Sequence, residues 1–126
     1  MSKPTESELA ILQILWDKGE ASVKEVHQAL NADRADEKAY TTTLKILQIM
    51  LDKGLVEREA QGRKHIYQPS SQKKETQKQL IHDLLLSAFK GSTSALVMQA
   101  LGSSDTSEEE LEEIKALIEK MQKTRK

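Results

Sequence analysis

Polar side chains recur at helical spacing near the middle of the chain, where they could donate hydrogen bonds to a ligand. They are Thr41, Thr42, Lys45 and Gln48, and Tyr40 comes just before them. Residues three or four positions apart lie on one face of a helix, so these side chains share a face. Hydroxyl, amide and ammonium groups bind base edges and phosphates, which predicts contact with nucleic acid. The alternative is that the threonines only cap a helix start.

A cationic pair and the charge distribution indicate the same kind of partner. Arg63 and Lys64 follow Gly62 at a predicted turn, and Lys38 precedes the polar helix. Residues 1–37 contain 4 basic and 8 acidic side chains, residues 38–74 contain 8 and 3, and residues 75–126 contain 7 and 9. The middle third is therefore positive, which favours an anionic partner. The predicted contacts with double-stranded DNA are Lys38, Tyr40, Thr41, Thr42, Lys45, Gln48, Arg63 and Lys64.

The elements that must position these residues follow from apolar spacing and helix-start signals. Thr5 with Glu8, Ser22 with Glu25, and Ser107 with Glu110 form capping-box patterns before helical spacing of apolar residues. Helices are expected at residues 6–18, 23–30 and 41–53. Two short strands are expected at residues 55–59 and 64–68, joined by a turn at residues 60–63.

Three helices followed by a hairpin are the order of a winged helix-turn-helix domain, which is expected over residues 1–70. In that arrangement the third helix enters the DNA major groove and the hairpin contacts the backbone or the minor groove. Trp16 and Tyr67 are interpreted as core residues rather than as stacking platforms for bases. The expected fold is mainly α with a small β-hairpin wing.

The second region, residues 71–126, is expected to be helical and to form a dimer. Helices are predicted at residues 72–90 and 94–101, a linker at residues 102–105, and a last helix after Ser107. So short a region rarely supports its own core, so its apolar face is expected to pack on a second copy of the chain. The predicted dimerisation residues are Leu84, Leu85, Phe89, Leu96, Leu111, Ile114, Ile118 and Met121.

The residue types in the sequence do not indicate catalysis or cofactor binding. The chain contains no cysteine, and its three histidines are not at metal-ligand spacing. The acidic run at residues 105–113 is interpreted as a solvated helix start. No cofactor and no metal are expected. No apolar run approaches the roughly 18 residues that a membrane span needs, so a cytoplasmic protein without membrane insertion is expected.

Several motifs together resemble the penicillinase and methicillin-resistance repressor family, which also includes a copper-responsive repressor. They are Ala-Tyr-Thr-Thr-Thr-Leu at residues 39–44, Asp-Lys-Gly-Leu-Val-Glu-Arg at residues 52–58, and Gly-Arg-Lys-His-Ile-Tyr at residues 62–67. Further similarity lies at residues 12–19, 89–92, 95–97 and 107–111, so the resemblance extends from about residue 5 to residue 120. It implies a homodimeric repressor that binds a palindromic operator through its winged helix. It also implies Tyr40, Thr41, Thr42 and Lys45 on the recognition helix and Arg63 and Lys64 on the wing.

The sequence departs from the family pattern in three places. Ile49 stands where many members have arginine, which removes one expected DNA contact. In the members that respond to β-lactams, a membrane sensor protease cuts the short fifth helix, and the matching bond here is Gln99–Ala100 in place of Asn-Phe. The copper-responsive members carry C-terminal cysteines, and this chain has none, which excludes copper sensing by thiolates.

Two other functions remain open at this point. A winged helix can serve as a protein-interaction module without a DNA target, although such a module does not need a positive middle third. A winged-helix sensor of a small molecule would need a pocket, and a chain with only 3% aromatic residues gives no indication of one.

Overall fold

The computed structural model describes residues 3–32 and 39–125. Lys38, one of the predicted DNA contacts, lies outside the described residues. The elements, in chain order, are α1 (Glu6–Lys18), β1 (Ala21–Ser22), α2 (Val23–Asn31), α3 (Tyr40–Lys53), β2 (Val56–Gln61), β3 (Lys64–Pro69), α4 (Lys73–Phe89), α5 (Thr93–Ser103) and α6 (Glu108–Thr124). The predicted mainly helical fold with a small wing is confirmed.

The helices begin where local side-chain chemistry satisfies the first backbone N–H groups. The Thr5 hydroxyl accepts from the Glu8 N–H over 3.2 Å, and the Glu8 carboxylate accepts from the Thr5 N–H over 2.9 Å. Ser22 and Glu25 repeat this reciprocal pair at the start of α2. These two capping boxes were predicted from the sequence and are confirmed. The third predicted pair forms only half of a capping box, in which the Ser107 hydroxyl accepts from the Glu110 N–H over 3.1 Å. At the other end of α3, Gly54 has a φ of 80°, the left-handed conformation in which glycine commonly ends a helix.

The core lies between the first three helices and the sheet. It is aliphatic except for Tyr67, which is 1% exposed, and Trp16 packs at its edge. The Trp16 indole N–H donates to the backbone oxygen of Ser71 over 2.9 Å, and both aromatic side chains are core residues as expected. The buried apolar residues are Ile11, Leu12, Leu15, Ala21, Val23, Val26, Leu30, Leu47, Met50, Leu55, Val56 and Tyr67.

The sheet is antiparallel, in the order β1-β3-β2. Strand β1 was not predicted: Ala21 pairs with Tyr67, and Ser22 pairs with Ile66. The hairpin of β2 and β3 is tighter than expected, because the strands pair up to Gln61 and Lys64. The predicted turn at residues 60–63 is therefore wrong in length, and only two residues connect the strands. Gly62, with a φ of 63°, supplies the left-handed backbone that so short a turn requires.

The chain forms two compact units, one up to Ile81 and one from His82 onward. In the second unit, no described side chain of α5 or α6 is buried. Helix α5 extends to Ser103, so the predicted linker at residues 102–105 is wrong at its first two positions. Among the described residues, no single helix is long and apolar enough to cross a membrane, although α4 and α5 meet that criterion as a pair bent by 100°.

Candidate nucleic-acid interface

The polar face of α3 is exposed over its first three turns. Thr41, Thr42, Lys45 and Gln48 are exposed, and Tyr40 is 46% exposed. The N-cap is Ala39, which has no side chain able to cap; its carbonyl accepts from the N–H groups of residues 42 and 43. The N-cap is therefore not a threonine, so the alternative that the threonines only cap the helix does not hold, and Thr41 and Thr42 are exposed.

The third threonine of the run has a different environment. Thr43 is fully buried, and its hydroxyl oxygen lies 3.0 Å from Nδ1 of His27 on α2. Ile49, which stands where many family members have arginine, is 42% exposed on the same helix as Lys45 and Gln48. The expected loss of a DNA contact at Ile49 stays a prediction.

An open cleft of about 390 Å³ lies between the start of α2, one side of α3 and the wing. Four cationic side chains line it, and among its lining residues there is no carboxylate. The cleft brings together Tyr40 and Gln48 with Arg63 and Lys64, as the sequence predicted for a single interface. The other predicted contacts on α3 do not line it. The full lining is Ser22, Val23, Lys24, Tyr40, Leu44, Gln48, Arg58, Arg63, Lys64, His65 and Tyr67.

Sequence reasoning missed three basic side chains in this lining, those of Lys24, Arg58 and His65. Arg58 pairs across the ladder with Tyr67, so the two side chains stand on the same face of the sheet. Because Tyr67 is buried, its face of the sheet is the inner one, and Arg58 extends that face into the cleft. The sequence signal that could have identified Arg58 is strand alternation, because Arg58 lies two residues after the apolar Val56 and therefore on the same face of β2.

One ionised carboxylate lies close to this positive region. Hydrogen bonds with the backbone and side chain of Ser22 lower the pKa of Glu25, and the charges of Lys18 and Lys64 act in the same direction. Glu25 is therefore negative at neutral pH. Its charge opposes the approach of an anion to the side of α2 on which it stands, so a phosphate is favoured on the side of Lys24 and the wing.

The described residues include no group of three or more histidine or acidic side chains that could hold a metal ion. The polar side chains of the interface are hydrogen-bond donors and cations. This chemistry suits a polyanion that is held by its phosphates and read at its base edges.

Three helices, a two-residue hairpin turn and a cationic cleft define a winged helix-turn-helix domain. The model of the family described as "Penicillinase repressor" matches residues 4–120. The chain belongs to the penicillinase repressor family, and it is a DNA-binding repressor. The resemblance found in the motifs is thereby confirmed over nearly the whole chain.

Two solved structures are similar to this chain, each with a TM-score of 0.45. One is the NMR structure of the homodimeric winged helix-turn-helix DNA-binding domain of a possible ArsR-family transcriptional regulator from Mycobacterium bovis. It is 26% identical and covers 62% of this chain and 68% of that one. The other is the crystal structure of an ArsR family transcriptional regulator, which is 18% identical and covers 80% of this chain and 84% of that one. The comparison with curated proteins found no match.

Proposed function

We propose that this chain acts as a homodimer that binds a palindromic operator and blocks transcription. The observation that carries the proposal is the placement of the cationic wing and part of the polar face of α3 around a single cleft. A duplex offers phosphates to the wing and base edges to a helix in its major groove at the same time. This function requires neither a cofactor nor an enzymatic step, and it is exerted at DNA in the cytoplasm.

In the proposed complex α3 lies in the major groove. Thr41, Thr42 and Gln48 contact base edges, and Lys45 binds a guanine or a phosphate. Arg63 and Lys64 hold the backbone from the tip of the wing. Lys24 and Arg58, which line the same cleft, add two phosphate contacts that the sequence alone did not suggest.

Dimerisation is assigned to the helices of the second unit. None of the predicted dimerisation side chains is fully buried. Those that are exposed are Leu84, Leu111, Ile118 and Met121, and those that are half-buried are Leu85, Phe89, Leu96 and Ile114. On α6, residues 111, 114, 118 and 121 follow the spacing of a coiled-coil seam. A second copy of the chain would remove this apolar surface from water, and two copies related by a two-fold axis match the symmetry of a palindrome.

Release by a membrane sensor protease at Gln99–Ala100 is a further part of the proposal. Both residues are exposed on α5. The Gln99 carbonyl accepts from the Ser103 hydroxyl, and the Ala100 carbonyl accepts from the Ser104 hydroxyl, each over 2.6 Å. A protease needs an extended substrate, so cleavage would require local unwinding of α5.

The test is a titration of the full chain against duplex fragments from upstream of its own gene, at several salt concentrations. Four cations line each cleft, and two clefts per dimer predict a slope of log K against log salt of roughly −7. Replacing both Arg63 and Lys64 by alanine removes four of the eight contacts and should reduce the slope to roughly half. The matched control is Lys78→Ala, at an exposed lysine of α4 outside the cleft.

Tight binding to an inverted repeat with a steep salt slope supports the proposal. Equal and weak binding to every fragment, with a flat salt response, contradicts it. That outcome favours the second candidate, a winged helix that binds another protein.

A further inference from the structure

His27 on α2 connects that helix to the first turn of α3. Its Nδ1 lies 3.0 Å from the hydroxyl oxygen of Thr43, and its Nε2 lies 3.2 Å from the amide nitrogen of Asn31. Its ring meets the ring of Tyr40 edge to face, with centroids 5.3 Å apart and planes at 76°. One half-buried side chain therefore contacts two residues of α3, on either side of the exposed threonines.

Both ring nitrogens of His27 lie near polar partners, because the amide nitrogen of Asn31 is 3.3 Å from Nδ1 as well as 3.2 Å from Nε2. The amide nitrogen of Asn31 can only donate, whereas the Thr43 hydroxyl can donate or accept, so either neutral tautomer of the ring satisfies both partners. In either tautomer the hydrogen bond between Nδ1 and Thr43 joins α2 to α3 and limits where the Thr43 hydroxyl can lie relative to α2.

Burial makes this bond costly to lose. Thr43 is 0% exposed, and a buried hydroxyl that loses its partner is penalised because water cannot replace it. A rotation of α3 about its own axis would carry Thr43 away from His27. The same rotation would change the directions of Thr41 and Thr42, which precede Thr43 on the first turn.

We propose that His27 is a positioning residue for operator recognition. It fixes the rotation of the first turn of α3 through Thr43 and Tyr40, and so directs the two exposed threonines at the bases. This inference rests on the proposed function, because it assumes that α3 occupies the major groove. Base contacts depend on that rotation far more than phosphate contacts do, since the latter come from long, adaptable cationic side chains.

The test measures the full chain against two labelled duplexes of equal length, one with the inverted repeat recovered in the titration above and one with random sequence. His27→Ala should weaken operator binding about tenfold while changing random-duplex binding less than about twofold. His27→Asn keeps a hydrogen-bonding group near the position of Nδ1 but lacks the ring. Thr43→Val keeps the contact between the rings of His27 and Tyr40 but lacks the hydroxyl. Both should give intermediate losses, and the matched control is Gln28→Ala, at the exposed neighbour on α2.

Selective loss of operator binding in His27→Ala, with partial rescue in His27→Asn, supports the positioning role. Equal losses on both duplexes, or no difference from Gln28→Ala, overturn it. If His27→Ala fails to fold, as judged by circular dichroism, the two milder variants decide, and operator preference unchanged in both overturns the inference. A wild-type chain without operator preference overturns the repressor proposal and this inference together.

Discussion

The ion pair between Glu8 and Lys53 should hold the last turn of α3 against α1. The Lys53 ammonium donates to Glu8 Oε1 over 2.7 Å. The side chain of Lys53 is 27% exposed, and that of Glu8 is 5% exposed. The same carboxylate oxygen accepts from the Thr5 N–H over 2.9 Å. Lys53→Met would leave a largely buried carboxylate with its capping bond but without its cation.

The expected cost lies between two limits. An exposed pair contributes about 0–1 kcal/mol, whereas removing one partner of a fully buried pair costs about 3–5 kcal/mol. Glu8 is buried, but Lys53 is partly solvated and the bond to Thr5 remains, so a loss of about 2 kcal/mol is expected. With a denaturant slope of about 2 kcal/mol per molar, the urea midpoint falls by about 1 M.

The same pair predicts a pH dependence. Burial would raise the pKa of Glu8, but hydrogen bonds from Lys53 and Thr5 and the charge of Lys53 outweigh it and hold the pKa below its ordinary value of 4.5. A lowered folded pKa means that ionised Glu8 stabilises the fold above pH 4.5, and that this contribution is lost as the pH falls through the lowered value. The difference in the free energy of unfolding between wild type and Lys53→Met should be at its full size at pH 7 and should shrink below pH 4.5.

The assay is urea unfolding followed by circular dichroism, at one fixed protein concentration because unfolding of the proposed dimer would depend on concentration. The matched control is Lys78→Met, the same substitution at an exposed lysine of α4. A midpoint shift no larger than that of the control would refute the reasoning. So would a difference that stays the same at pH 3 and at pH 7.

Three further predictions concern the interface, the dimer and the core. Thr42→Ala and Lys45→Ala should each weaken operator binding by about 1–3 kcal/mol if they contact bases; unchanged affinity for both in an anisotropy titration would argue against α3 in the groove. Ile118→Asp places a charge at a 48% exposed seam position and should shift sedimentation towards monomer and weaken operator binding; a dimer as stable as wild type would count against the seam. Trp16→Phe removes the bond to Ser71 and should lower the free energy of unfolding by about 1 kcal/mol, measured by urea denaturation; an unchanged midpoint would mean that the bond adds nothing.

The helix starts could be predicted because their causes are local. Each capping box is made by residues three positions apart, so the sequence contains the whole interaction. Helix α3 begins one residue earlier than expected, at Tyr40, because its N-cap, Ala39, carries no capping side chain for the sequence to reveal.

Features that depend on distant parts of the chain could not be predicted. Strand β1 has only two residues and no alternation of its own, and it exists because β3 pairs with it. The three consecutive threonines look equivalent in the sequence, and only the position of His27 on another helix distinguishes the buried Thr43. The dimerisation residues and the cleavage bond depend on a second molecule, so both stay predictions.

Ser22 belongs at once to the sheet and to a helix start. Its backbone pairs with Ile66 of β3, while its hydroxyl and N–H make the capping box of α2 with Glu25. No linker residue therefore separates β1 from α2, and the pairing of Ser22 with Ile66 ties β3 of the wing to the start of α2. A domain joined in this way meets its ligand preorganised, so little binding free energy is spent on ordering the wing, and more of each phosphate contact appears as affinity.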